Sequence, residues 1–233
     1  VDRNKGTVRV SLAALLMNHW LDNRDRNAVF EFEPPEHLVA SADVAQTLQY
    51  HRDVYLTQRR ARLDGSTQRW VGIVPRLQGS GGFRKWDGRG ALALDYQSLV
   101  EVPLRYQLTG SAAERDLLYA LHGFQLKSWV ELAVSDSGVP ERKRVVFTKF
   151  EAQVIDSYDW DYSEHLTVPN PDYGSRDPGA IEPGSQTVKV FHGNARRVED
   201  AGLAAPYPLR SRRWQVDGAG LAAPAEVDPT RSL

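Results

Sequence analysis

Apolar residues recur along this chain with two periods, and the change from one to the other falls between Leu63 and Arg69. In the first part the spacing is helical. Leu12, Leu15, Leu16 and His19 fall at i, i+3, i+4 and i+7, which predicts a helix over Ser11 to Leu21 with Ser11 as its N-cap. An acidic, proline-containing stretch follows from Phe30 to Pro35. A second helix is expected from Ala42 to Leu63. Ser41 would cap it, and Val44, Leu48, His51 and Tyr55 would form its buried stripe. Arg59, Arg60 and Arg62 suit its C-terminal turns, and Asp64-Gly65 would stop it.

Beyond Arg69 the period becomes that of strands. Arg69 to Arg76 reads as a strand and Gly79 to Gly82 as a loop. Ala91 to Leu108 reads as one long or two short strands, bent or placed at an edge by Pro103. Ser111-Ala112-Ala113-Glu114 is a capping box. It opens a short helix bearing Leu117, Leu118 and Leu121, closed by Gly123. Phe124, Leu126, Ser128, Val130, Leu132 and Val134 then alternate with polar positions. After a turn at Asp136 to Pro140, Val146, Phe150, Ala152 and Val154 share one face, with Lys149, Glu151 and Gln153 opposite. Two such strands predict an antiparallel hairpin with one face in the core.

Further on, Pro169 to Gly184 is expected to be a long loop, Val188 to Phe191 a strand, and Asn194 to Leu203 a helix. Ala201 to Pro206 recurs as Ala219 to Pro224, two copies being too few for a solenoid. The fold class is therefore α+β, a twisted antiparallel β-sheet core with N-terminal helices. Three regions are expected: a helical segment over 1–65, a β-rich domain over 66–216 and a disordered tail over 217–233.

Composition narrows the function. The chain has 233 residues, the size of one large domain or one domain with appendages, and 41% of them are hydrophobic, enough for a core. Its formal charge of −1 argues against a sequence-independent nucleic-acid binder. With no cysteine there is no disulfide framework and no Cys-ligated zinc. No apolar run approaches a membrane span, and Val1 to Lys5 is not followed by a signal-peptide core. A first residue other than Met is expected of a fragment or a processed form. Gly-x-Ser-x-Gly, Walker A and Gly-x-Gly-x-x-Gly patterns do not occur.

The densest chemistry is Asp156 to His165, which holds four acids, two tyrosines and a histidine in ten residues. Continuing the strand period places Asp156 and Tyr158 on the core side at the end of the sheet. A carboxylate aimed at a core is costly unless something pairs with it, which points to a functional or metal-bound site. Gathered carboxylates can hold a hard cation such as Mg²⁺, and a histidine can move protons near neutral pH. A solvated turn is the alternative. His165 and His192 are the histidines expected near the cluster; His19 and His51 belong to helix stripes, and His122 ends a helix where a cation suits the dipole.

Asp156, Tyr158, Asp159 and His165 also lie at the relative positions of the Asp-x-Tyr-Asp…His signature of the colicin M family, bacteriocins that hydrolyse lipid II. Upstream, Ala120 to Phe124 followed by two long strands is similar as well, and a group of uncharacterised bacterial proteins, some encoded near secretion systems, shares that layout. The similarity covers roughly Leu117 to His165. It implies an antimicrobial, toxin-like hydrolase with Mg²⁺ as cofactor, acting at the polyprenyl–pyrophosphate linkage of a lipid-linked peptidoglycan precursor. Asp156 and Asp159 would hold the metal or orient water, His165 would be acid or base, and Tyr158 would bond a phosphate oxygen or position the acids. The implied location is outside the producing cell or in the periplasm of a target bacterium, with an immunity or secretion-system protein as partner. Leu166 stands where the family has an arginine. Arg196, Arg197 or Arg176 would have to supply the phosphate contact, Arg196 and Arg197 being favoured by a nearby helix start. The alternative, which the missing arginine supports, is a non-catalytic relative of the same fold acting as an accessory or binding module.

Overall fold

The two alternating stretches become the longest strands of the chain. In a computed structural model, residues 11–56, 59–62, 68–71, 91–139, 142–160, 165–170, 172–177, 179–180, 182, 184–216, 221 and 223–227 are described. Chain order is α1 (Leu12–Asp22), β1 (Phe30–Phe32), α2 (Glu36–Val39), α3 (Ala42–Leu56), β2 (Arg59–Arg62), β3 (Gln68–Val71), β4 (Ala91–Glu101), α4 (Tyr106–Thr109) and α5 (Ala112–Leu121). Then follow β5 (Gly123–Asp136), β6 (Lys143–Tyr158), β7 (His165–Pro169), β8 (Thr187–Phe191), α6 (His192–Asp200), β9 (Tyr207–Ser211), β10 (Trp214–Gln215) and β11 (Ala225–Val227). The fold is α+β. Its seven-stranded twisted sheet is mixed and runs β1-β9-β6-β5-β4, with β10 and β11 also on β6. The Gly79 to Gly82 loop and the Asp64-Gly65 stop lie outside the described residues.

β5 and β6 pair antiparallel from Gln125 opposite Ile155 to Asp136 opposite Lys143. The pairing contains a bulge. Glu131 faces Lys149 and Leu132 faces Phe147, so Thr148 is the extra residue. It changes which side chains of β6 are buried: Val145 and Phe147 before it, Phe150, Ala152 and Val154 after it. The expectation that Val146 shares the core face is thereby corrected. β5 has no extra residue, and its buried set from Phe124 to Val134 is the alternating one. After the bulge the even parity of β6 runs on to its end, leaving Ser157 exposed and Tyr158 buried.

Four further expectations change. Helix α3 ends at Leu56, and Arg59 to Arg62 form a strand paired with β3, Arg59 opposite Val71 and Arg62 opposite Gln68. Ladder bonds there outweigh the weak preference of arginines for a helix end. In α1 the buried stripe is Leu12, Leu16 and Trp20, while Leu15 is exposed. After Pro103 the chain turns into α4 instead of extending, with the Tyr106 N–H donating to the Pro103 carbonyl at 2.9 Å. The tail is not wholly irregular: Ala225 to Val227 pair with Val145 to Lys143, and Val227 is buried.

The chain divides into two units, each assembled from three stretches. The second holds Phe32–Val100, Phe124–Ile155 and Arg210–Leu233. Within it His51 is fully buried, its Nδ1 2.7 Å from Ser128 Oγ and its Nε2 2.7 Å from Ser98 Oγ. The Tyr55 hydroxyl donates to the Ser128 carbonyl at 3.0 Å.

The first unit holds Val1–Glu31, Glu101–Gly123 and Asp156–Leu209. Here α5 begins with the expected capping box. Its buried Asp116 accepts the N–H groups of Leu12 at 2.8 Å and Ala13 at 2.9 Å, while Ser11 accepts that of Ala14. Helix α1 thus has its first donors satisfied across a tertiary contact. Asp116→Ala should cost about 2 kcal/mol, read as a lower urea midpoint at unchanged slope.

The candidate active-site cleft

The end of β6, the end of α5 and the start of α6 converge on one cavity, all within the first unit. Its volume is about 290 Å³, at the small end for ligand sites. Asp156, Tyr158, Asp159, Trp160, His122 and His192 contribute its chemistry.

Asp156 reaches the cleft because the strand period carries it to the buried side one step beyond Val154. Burial pushes its carboxyl up to about 7, and the charge of Asp159 adds to the rise. A hydrogen bond from the Ser157 N–H pulls the other way. The group therefore exchanges its proton near neutral pH, as a general acid or base must. Asp159, one residue past the strand, is exposed.

Aromatic rings hold this end of the strand. Tyr158 stacks on Tyr207 at 5.4 Å, and Tyr207 donates to the Leu16 carbonyl at 2.8 Å. Burial raises the Tyr158 hydroxyl above its ordinary range, and that hydroxyl lies 4.0 Å from the Met17 sulfur. Trp160 packs edge-on against Tyr158 at 5.8 Å and His192 at 4.9 Å, and tilted against Trp20 at 5.6 Å. Its indole N–H is buried and has no hydrogen-bond partner among the described residues.

His122 enters by an unusual backbone. It is the C-cap of α5 with φ 52° and ψ −63°, a region that side chains other than glycine rarely occupy. Its N–H donates to Leu118 O at 3.0 Å, and its carbonyl accepts from the Val102 N–H at 2.9 Å.

Of the residues expected from sequence, Asp156, Tyr158 and Asp159 line the cleft, and His192 does too. His165 does not. It is exposed on β7, its ring 5.6 Å from Phe191. Arg196 is engaged elsewhere: its Nη1 is 2.9 Å from the buried Glu199 and its Nε 3.6 Å from Asp200. Glu199 also accepts the Trp20 indole N–H at 2.9 Å. Arg197 and Arg176 are exposed. Among the described residues that line the cleft there is no arginine or lysine.

No family model matches the chain, and neither a curated protein nor a solved structure does. The geometry of the cleft therefore carries the functional argument.

Two of its residues were not legible as site residues in the sequence. His122 reads there as a favourable helix-end cation, yet it stands directly before Gly123, at a spot where glycine would be ordinary. Trp160 carries no signal of its own there, since tryptophans by default serve core and interface packing.

Proposed function

We propose that this protein hydrolyses a lipid-linked peptidoglycan precursor at its polyprenyl–pyrophosphate linkage, as an antibacterial toxin does, with Asp156 as proton acceptor. The observation that carries the reading is a carboxyl poised near neutral pH, beside Asp159, in a cleft at the Asp-x-Tyr-Asp spacing. Asp156 takes the proton of an attacking water. Tyr158 positions the acids through its stack on Tyr207, since its hydroxyl is directed to Met17. Asp159, exposed at the mouth, orients the water.

The pair also fits a magnesium ion. Mg²⁺ is commonly held by one or two carboxylates completed by substrate phosphates, and a cation here would also offset the Asp159 charge, which adds to the rise that burial causes in Asp156. Asp159 and the substrate phosphates would hold it, leaving Asp156 to accept the proton, and it would supply charge stabilisation at the phosphoryl group. Among the described residues no group of three or more ligating side chains gathers, so the phosphates would complete the shell. Action on such a precursor implies delivery to the periplasm of a target cell and an immunity partner in the producer.

A second reading has its own observation. With no arginine or lysine among the described lining residues and His165 outside the cleft, the chain would be a non-catalytic relative that binds as an accessory module.

Incubation with prenyl-labelled lipid II and Mg²⁺ separates them. Hydrolysis predicts release of labelled prenol, reduced about 10²- to 10⁴-fold in Asp159→Asn and in Asp156→Asn. Lipid II bound but intact after prolonged incubation selects the binding module.

A further inference from the structure

We propose that His122 is the proton donor of this cleft, acting on the leaving oxygen while Asp156 serves the attacking water; the inference rests on the hydrolase reading above.

Three observations carry it. The first is placement: His122 and Asp156 line the same small cavity, and His122 is exposed to it. The second is strain. A histidine at φ 52° is held where the neighbouring glycine type would sit at no cost, and its N–H and carbonyl are both fixed by bonds to Leu118 and Val102. Backbone strain of this kind persists where the fold over-determines it, and it gathers at functional sites. The third is the Trp160 indole N–H. Trp160 is only 7% exposed and lines the cavity, and its donor has no partner among the described residues. A buried donor without an acceptor carries a desolvation cost that calls for an explanation, and a functional site is one.

Position supplies the role. His122 closes α5, and imidazole is the side chain best suited to pass a proton to a leaving oxygen near neutral pH. The other titratable groups lining the cavity are Tyr119, Tyr158, Asp159 and His192. His192 has its ring against Trp160, and the two tyrosines are weak acids whose hydroxyls burial holds protonated.

In the reaction, water oxygen bonds to phosphorus as its proton passes to the Asp156 carboxylate. The bond between phosphorus and the prenyl oxygen breaks, and that oxygen takes the proton of His122. Prenol leaves, the sugar-linked pyrophosphate retains the water oxygen, and Asp156 and His122 exchange protons with solvent to reset.

Strain and catalysis make opposite demands, so stability and activity should separate. His122→Gly should melt higher by roughly 2–6 °C and lose prenol release at least about 100-fold. His122→Asn, which tolerates positive φ but cannot donate a proton as imidazolium does, should fold equally well. Its residual activity should lack the alkaline limb of the wild-type pH profile. A His122→Gly protein that melts lower than wild type overturns the inference. So does loss of release in His165→Asn or His192→Asn while His122→Asn stays active, an outcome that leaves the hydrolase reading standing. Wild-type protein that releases no prenol overturns both.

Discussion

Asp156→Asn should be more stable than wild type at pH 8, and the difference should vanish as the pH falls toward 4. The carboxyl ionises at 3.8 in the unfolded chain and at about 7 in the folded one. Below 3.8 it is protonated in both states and its burial carries no charge penalty. Between 3.8 and 7 only the unfolded chain gives up the proton, so stability is lost as pH rises through that window. Above 7 the full penalty applies, on the order of 3–4 kcal/mol, and asparagine removes most of it. Urea denaturation of both proteins from pH 4 to pH 8 checks the shape of the difference. A mutant less stable than wild type at pH 8 would show that the charged carboxylate is held by a favourable partner instead. On the proposed hydrolase reading, the wild type gives up stability to keep an acid in its cleft.

His51→Gln should act with the opposite slope. Burial pulls the His51 imidazole down to about 3, so it stays neutral in the folded state, bridging Ser98 and Ser128. At pH 7 and above, replacement should cost about 3–5 kcal/mol, since buried hydroxyls lose their partner and the ring leaves a void. The unfolded chain binds a proton at 6.5. Wild type therefore loses its advantage as pH falls from 6.5 toward 3, and the two proteins should converge near pH 4. Chemical denaturation across that range checks it, and a pH-independent difference would show that His51 is not neutral when folded. The two groups titrate in opposing senses over pH 3.8 to 6.5, so either variant should unmask the slope that the other group hides in wild type.

The candidate site was partly legible for a simple reason. Asp156 and Tyr158 follow Val154 at period two, so the parity that buries Val154 brings both to the cleft. Asp159 comes with them at the strand's end. Nothing in the local pattern, however, says which distant histidine meets them. His165 is nearer in sequence, but its pairing opposite Phe191 on β8 takes it out of the cleft. Arg196 had the right charge near a helix start, but the buried Glu199 three residues on holds it.

By itself the sequence determined the elements that depend on neighbours within a few residues. These are the capping box at Ser111, the α3 stripe from Val44 to Tyr55, and the two alternating strands with acids at their end. Each follows from a repeat of 3.6 or 2, or from a side chain bonding its own backbone. Tertiary structure alone decided the rest. Thr148 bulges because β5 imposes its own register, so Val145 and Phe147 replace Val146 in the core. Arg59 to Arg62 leave the helix because β3 offers ladder partners, and Ala225 to Val227 are ordered by the edge of β6. Asp116 caps a helix about a hundred residues away, and His122 enters the cleft through a backbone held by Val102. Such contacts join residues far apart in the chain, where no local period can register them.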